Sequence, residues 1–306
     1  MTTLREAITD YLAYCEYQKK LSAKSIKAYT IDLEQLTQRT TSENIPVKAE
    51  ISAYITHLHK IYSPRTVKRK IASICAFLNY LEFEEIIPEN PMKKIKTKFH
   101  VPQVLPRTIP LEKIENILRV AYQELKQAQT VYALNTALRN AAILELLFAT
   151  GLRVSELCSL NAEYIDLNNG RILIMGKGAK ERMLQIGNPD VLSILRRYAE
   201  KNAVRIRETD HFFINRLSSR ISEQSVRFMI KRLCTKADIG PNITPHMFRH
   251  SFATLLLEED VDIRYIQRML GHSSILTTQI YTQVTVEKQH QILTTKHPRN
   301  KIFVNI

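Results

Sequence analysis

The chain has 306 residues, enough for two domains, with 44 lysine and arginine residues against 30 aspartate and glutamate residues. The formal charge of +14 suggests a polyanionic partner, although charge alone does not separate nucleic acid from a membrane surface. A membrane role is disfavoured, because no apolar run approaches a bilayer span and the charged N-terminal segment is unlike a signal peptide.

The first hundred residues are predicted to form a domain of four helices. Apolar residues recur there at helical spacing in four stretches, which begin at Leu4, Ile26, Ile51 and Val67. Five of the eleven prolines fall between residues 88 and 110, and proline interrupts helices and stiffens extended chain. The sequence therefore predicts one domain over residues 1–100 and a second over residues 101–306.

The fourth of these helices begins with a cluster of positive charge. Ser63 suits its N-cap and Pro64 its first position, and no acidic residue occurs between residues 60 and 81. A cluster of charged residues is usually a solvated helix face. Here all the charges are positive and lie at the start of a helix, which favours contact with a DNA backbone. The residues predicted to make this contact are Arg65, Lys68, Arg69 and Lys70.

A β-hairpin is predicted between residues 171 and 186, where two short apolar segments flank a Gly-Lys-Gly turn that carries Lys177. The turn is not a P-loop, because the four-residue spacer and the Lys-Ser/Thr ending are absent. Upstream, the segment G-L-R-V-S-E-L places Arg153 just after Gly151, where one helix is expected to end and a short helix to begin.

Farther along, a helix is predicted to begin at Thr244 as N-cap and Pro245 as first residue. Its first turns carry His246 and Arg249 on one face, because the two residues are three positions apart. A helix N-terminus already favours anions, and a guanidinium and an imidazole added there would make a phosphate site. His246 and His250 also have the i, i+4 spacing of zinc ligands. They lack the adjacent glutamate and a third ligand at a familiar spacing, so no metal site is predicted.

A second helix from about Asp262 is expected to end at Gly271 in the left-handed cap position, with His272 just beyond it. Tyr281 lies nine residues after His272 on a predicted third helix. Two histidines, an arginine and a tyrosine are thus expected to gather at successive helix ends.

These residues and motifs resemble those of the tyrosine recombinases (integrases), most closely the Xer-type members. The family's Arg-Lys-His-Arg-His-Tyr order is matched residue for residue, and so are its local motifs. Two departures leave the subfamily open: the segment over residues 119–138 is long, and a tail follows the His-Pro-Arg at residues 297–299. The matching residues are Arg153, Lys177, His246, Arg249, His272 and Tyr281, within G-L-R-V-S-E-L, G-K-G-A-K-E-R, H-M-F-R-H-S-F-A-T, L-G-H-S-S and Y-T-Q-V.

The resemblance implies a phosphodiester exchange in which Tyr281 attacks DNA and forms a 3′-phosphotyrosine with a free 5′-hydroxyl. Arginine suits the phosphate, since its planar fork of donors matches phosphate oxygens. No cofactor is expected. The implied roles are phosphate binding for Arg153, Arg249 and His272, removal of the tyrosine proton for His246, protonation of the 5′-oxygen for Lys177, and orientation of Arg153 for Glu156.

The predicted fold is mainly α. It is a two-domain DNA clamp, with a helical core-binding (SAM-like) N-terminal domain and a mostly helical catalytic domain that contains a small antiparallel β-sheet around residues 163–186. The implied partners are double-stranded DNA core sites and a homo- or hetero-tetramer at synapsis, with a second recombinase or an accessory protein left open. The four cysteines form no Cys-x-x-Cys pair, which is typical of a cytoplasmic protein, here one at the nucleoid.

Two other functions stay open at this point. A type IB topoisomerase would use the same phosphotyrosine chemistry but would only nick and reseal one duplex. A DNA-binding regulator that has lost catalysis is disfavoured, because all six catalytic positions are filled. Among recombinases, the sequence does not separate chromosome dimer resolution, integration or excision of an element, and inversion.

Overall fold

The computed structural model describes residues 3–40, 44–102, 107–176, 181–240 and 242–271. The chain divides into two compact units, residues 1–104 and 105–306, called here the first and the second unit. Helices dominate the described part of both units, and the strands form one small antiparallel sheet in the second. The predicted mainly α fold is thus confirmed. None of the described helices is long and apolar enough to cross a membrane.

The first unit contains the helices that the apolar spacing predicts. Their inward faces meet in one core, in which the ring of Tyr11 lies 5.4 Å from that of Phe77 between centroids, and Leu33, Ile51 and Leu58 are fully buried. Large apolar side chains removed from water supply the main stabilisation of such a bundle. The helices are α1 (Leu4–Ala13), α2 (Ala23–Thr37), α3 (Lys48–Ile61) and α4 (Pro64–Phe83), and a 3₁₀ turn follows at Pro91–Lys94.

A buried charge network joins α2 to α4. Asp32 is 1% exposed, accepts hydrogen bonds from Lys70 Nζ at 2.8 Å and Ser73 Oγ at 2.7 Å, and is also paired with Arg69. Lys70 is itself 2% exposed and donates a further hydrogen bond to Gln35. A buried charge is tolerated only when it is paired, so the role of Lys70 is to stabilise the fold through its ion pair with Asp32.

The structure therefore corrects the assignment of Lys70 to the DNA-contacting set, because its ammonium group is buried against Asp32. Arg65 and Lys68 are exposed, and the side chain of Arg69 is 48% exposed even while it is paired with Asp32. These three residues stay predicted DNA contacts.

The second unit is built around α6 (Val131–Thr150), which follows α5 (Leu111–Gln127). Helix α6 packs against α5, and Ile143, Leu144, Leu146 and Leu147 are all fully buried. A helix that is apolar on nearly every side lies at the centre of its unit. The helices after it are α7 (Val154–Cys158), α8 (Pro189–Lys201), α9 (Ala203–Thr209), α10 (Glu223–Lys236), α11 (Pro245–Glu258) and α12 (Ile263–Leu270).

The sheet lies between α7 and α8 in the chain and consists of β1 (Ile165–Asp166), β2 (Arg171–Met175) and β3 (Glu181–Gln185), in the order β1-β2-β3 with antiparallel pairing. Strands β2 and β3 form the predicted hairpin, in register with Ile174 opposite Arg182. The apolar face carries the buried Ile172, Ile174 and Leu184. Lys177 falls among residues 177–180, between the two strands and outside the described residues.

Candidate active site

The candidate site begins where α6 ends. Gly151 caps α6 in the left-handed conformation with φ of 61°, and a Cβ atom there would come within 2.6 Å of Phe252 Cδ1. Glycine adopts this conformation at no steric cost, whereas other residues are strained in it. The chain turns sharply, and Arg153 becomes the N-cap residue of α7 two positions later.

Glu156 holds Arg153 in place from the third position of α7. Its carboxylate accepts hydrogen bonds from the backbone N–H of Arg153 at 2.9 Å and from Arg153 Nη1 at 2.8 Å. It accepts two more from Arg182 on β3, at 3.0 and 2.8 Å. Burial disfavours the charged carboxylate, but the hydrogen bonds from Arg182 and Arg153 outweigh burial and lower the pKa of Glu156. The predicted contact between Glu156 and Arg153 is present, and the role of Glu156 in catalysis stays a prediction.

Arg249 joins three helix ends. It lies on α11 and is only 4% exposed, and its Nη1 donates to the carbonyl oxygen of Gly151 at 2.8 Å while its Nη2 donates to that of Leu270 at 2.6 Å. The last carbonyl groups of a helix lack helical partners and carry partial negative charge, so a guanidinium is well placed there. Arg249 therefore fixes the ends of α6 and α12, the points from which the chain leads to Arg153 and to His272.

His246 lies one turn before Arg249, at the N-terminal end of α11, which begins with Thr244 as N-cap and Pro245 as first residue, as predicted. Its imidazole is partly exposed. Desolvation and then the positive charges of Arg249, Arg227 and Arg153 lower the pKa of His246 below its usual value of 6.5, against a smaller opposing effect of a glutamate. The ring is therefore neutral at neutral pH and can accept a proton.

Helix α12 ends as the sequence predicts. Asp262 is its N-cap, and Gly271 caps its C-terminal end in the left-handed conformation with φ of 64°. His272 comes directly after this cap in sequence and Tyr281 nine residues later, and both lie outside the described residues, as Lys177 does. In the described ranges, no three histidine, cysteine, aspartate or glutamate side chains are grouped so that they could hold a metal ion.

The sequence did not single out two arginines that the structure brings to this site. Arg182 pairs with Glu156, and Arg227 on α10 acts on the pKa of His246 while it is bonded to Glu223 at 2.8 Å. Arg182 did carry a signal: it shares a strand face with the buried Leu184, and a charge on an inward face predicts a buried partner. Arg227 lies on an exposed helix face, where a single arginine carries no such signal.

Two family models match the chain. Residues 119–288 match the phage integrase family, and residues 8–85 match the phage integrase N-terminal SAM-like domain. The first match includes the six residues that resemble a catalytic set, and the second includes α2, α3 and α4.

Curated relatives match nearly the whole chain. A protein named tyrosine recombinase from Agathobacter rectalis is 51% identical over 98% of this chain and 98% of its own length. Tyrosine recombinase XerC from Myxococcus xanthus is 34% identical over 98% of this chain and all of its own length.

The fold is also that of solved recombinase structures. It is similar to XerH site-specific recombinase bound to a palindromic difH substrate, with a TM-score of 0.75, 21% identity, and coverage of 94% of this chain and 84% of the other. It is similar as well to a lambda integrase tetramer bound to a Holliday junction, with a TM-score of 0.69, 15% identity, and coverage of 92% and 77%. At these identities the likeness concerns the fold.

Proposed function

Because this chain belongs to the phage integrase family of tyrosine recombinases, we propose that it cuts and rejoins DNA strands at specific sites through a 3′-phosphotyrosine intermediate. The observation that carries this proposal is the convergence of helix ends. Arg249 bonds the ends of α6 and α12 together, and Glu156 bonds to Arg153 beside them. Several cationic groups thus meet at one place, as attack on a phosphodiester requires.

In this proposal, Arg153 and Arg249 stabilise the negative charge that builds up on the non-bridging oxygens of the scissile phosphate. The side chain of Arg153 is 36% exposed, so its guanidinium is accessible to DNA even while Glu156 orients it. Arg249 is far more buried and donates to the carbonyl oxygens of Gly151 and Leu270, so its guanidinium is fixed at the helix ends where the phosphate would bind. His272 would add a hydrogen bond to the same phosphate.

Proton transfer is assigned to two other residues. His246 would remove the proton of the Tyr281 hydroxyl as this oxygen attacks phosphorus, and its lowered pKa supports this role because the imidazole starts neutral. Lys177 would donate a proton to the departing 5′-oxygen. The phosphotyrosine bond conserves the energy of the phosphodiester, so the 5′-hydroxyl of another strand can reverse the step without a cofactor.

We also propose that double-stranded core sites are the substrate and that four protomers, identical or of two kinds, assemble on two duplexes at the nucleoid. Residues 1–100 would serve as the core-binding domain and residues 101–306 as the catalytic domain. The excess of positive charge and the exposed Arg65 and Lys68 at the start of α4 support a DNA-bound first unit. A second recombinase or an accessory protein would set the biological role.

Synapsis separates this function from that of a type IB topoisomerase. The test incubates the protein with two differently labelled duplexes that carry the core site, and in parallel with a supercoiled plasmid that lacks it. We expect products that join the two labels, together with little relaxation of the control plasmid. Relaxation of the control plasmid without any joined product would favour the topoisomerase instead.

A further inference from the structure

Arg182 is a nearly buried cation whose nitrogen atoms are all engaged inside the protein. Its side chain is 11% exposed. Nη1 and Nη2 donate to the two oxygens of Glu156 at 3.0 and 2.8 Å, and Nε donates to the carbonyl oxygen of Met269 at 2.9 Å. This is the two-point geometry in which an arginine fork fits a carboxylate. Arg182 therefore has a structural task within the second unit, with little surface left for DNA.

Glu156 divides its carboxylate between two arginines. Oε1 accepts from both Arg153 and Arg182, and Oε2 accepts from Arg182 and from the backbone N–H of Arg153. The carboxylate is only 7% exposed, so water does not replace a missing partner easily. The orientation of Arg153 thus depends on Arg182 through one shared carboxylate.

Arg182 also determines the position of the end of α12. Besides the hydrogen bond to Met269, its side chain lies directly against Gly271, where a Cβ atom would come within 2.9 Å of Nη1 and 3.1 Å of Cδ. The left-handed Gly271 leaves room for this close approach, and the next residue in the chain is His272.

Resting on the proposed function, we propose that Arg182 is a positioning residue of the cleavage reaction. It acts through Glu156 on Arg153, and it also holds the end of α12 at Gly271. Arg153 belongs to the phosphate-binding side of the proposed site. Arg182 thus supports charge stabilisation at the phosphate, while protonation of the leaving 5′-oxygen depends on Lys177.

The first test measures formation of the covalent protein–DNA adduct in a single turnover at saturating DNA. The variants are Arg182→Gln and Arg182→Lys, and the control is Arg171→Gln, which removes one exposed charge from the same hairpin. A small displacement of catalytic groups costs about 10- to 100-fold in rate, so we expect a loss of this size in both Arg182 variants. Arg182→Lys should also lose activity, because a lysine ammonium group cannot make the paired hydrogen bonds that the guanidinium makes to the two oxygens of Glu156. The DNA affinity of both Arg182 variants should equal that of Arg171→Gln. Their circular dichroism spectra should also match, which shows that they are folded.

A normal cleavage rate in Arg182→Gln, or recovery in Arg182→Lys, would overturn the proposal. So would a defect that appears only as weaker DNA binding, since Arg182 would then be a binding residue. If Arg182→Gln does not fold, the cleavage rate of the folded Arg182→Lys variant at saturating DNA tests the proposal: a slower rate supports it and a normal rate overturns it.

Two further measurements identify the route. Because Arg182 and Glu156 act as a pair, the double variant with Glu156→Gln should be no slower than the slower single variant. A substrate with sulfur at the bridging 5′ position needs no acid, because a thiolate leaves without a proton. Since Arg182 is proposed to act on phosphate binding and not on the acid, this substrate should leave the Arg182→Gln defect unchanged. Rescue by sulfur, or multiplied defects in the double variant, would contradict the proposed route. Absence of any adduct in the wild-type protein would instead count against the proposed function itself.

Discussion

Arg249 donates a hydrogen bond of 2.8 Å to the carbonyl oxygen of Gly151, 98 residues before it in the chain. The acceptor belongs to the glycine that ends α6 in the left-handed conformation, two positions before Arg153. This hydrogen bond therefore holds Arg249 close to the turn that leads to Arg153, the other arginine of the proposed phosphate site. The geometry of that site depends on a turn that glycine makes without strain.

The first prediction concerns this turn. Gly151→Ala should lower the free energy of unfolding by at least about 1–2 kcal/mol, the cost of left-handed backbone for an L-residue. The new Cβ would add a clash at 2.6 Å with Phe252. Urea unfolding followed by circular dichroism measures the effect. The control is Gly187→Ala, where a Cβ would meet nothing within 4 Å, so its free energy of unfolding should be unchanged or slightly raised. Equal stability of the two variants would contradict this account.

The second prediction separates two lysines two positions apart on α4. Lys68 is exposed, whereas Lys70 is buried against Asp32. Lys68→Gln should weaken DNA binding and reduce the slope of log affinity against log salt by about 0.9, the contribution of one phosphate contact. Lys70→Gln should leave this slope unchanged but lower the free energy of unfolding by roughly 3 kcal/mol, because Asp32 loses a buried partner. Fluorescence anisotropy and urea unfolding give the two quantities. A reduced salt slope in Lys70→Gln would restore Lys70 as a DNA contact.

The third prediction concerns the protonation of His246. Its pKa is lowered below 6.5 by desolvation and by neighbouring positive charges, among them Arg227. In the DNA-free protein, the midpoint of imidazole protonation should therefore lie below pH 6.5, as followed by NMR titration. Arg227→Gln removes one repelling charge and should raise the pKa of His246, so that protonation begins at higher pH. An unchanged or lower pKa in Arg227→Gln would show that Arg227 does not act on this ring.

The fourth prediction distinguishes the proposed acid from a phosphate ligand. Lys177→Ala should slow cleavage of ordinary DNA by about 10²–10⁴-fold, the usual cost of losing a positioned acid. Sulfur at the bridging 5′ position should largely remove this defect, since a thiolate departs without a proton. Arg153→Ala serves as the comparison, and sulfur should not rescue it to the same extent. Equal impairment of Lys177→Ala on both substrates would move the acid elsewhere, first to Lys180.

The features that the sequence predicts well are those with local causes. Gly271 as the cap of α12, Thr244 and Pro245 at the start of α11, and the hairpin around Lys177 all follow from residues next to one another in the chain. The Glu156–Arg182 pair and the burial of Lys70 depend on residues 26 and 38 positions away, respectively. One-dimensional patterns do not encode which charged side chains become partners at such separations, and the buried Lys70 has the same charge as its exposed neighbours.

The central claim is that Tyr281 is the nucleophile, and a denaturing gel tests it most directly. Wild-type protein, Tyr281→Phe and the control Tyr265→Phe are incubated with labelled core-site DNA, and adducts that survive denaturation are counted. Tyr265 is 64% exposed and lies on α12, so it is the next candidate nucleophile. We expect Tyr281→Phe to bind the site normally but to form no adduct, while Tyr265→Phe forms as much as the wild type. Undiminished adduct in Tyr281→Phe would contradict the mechanism.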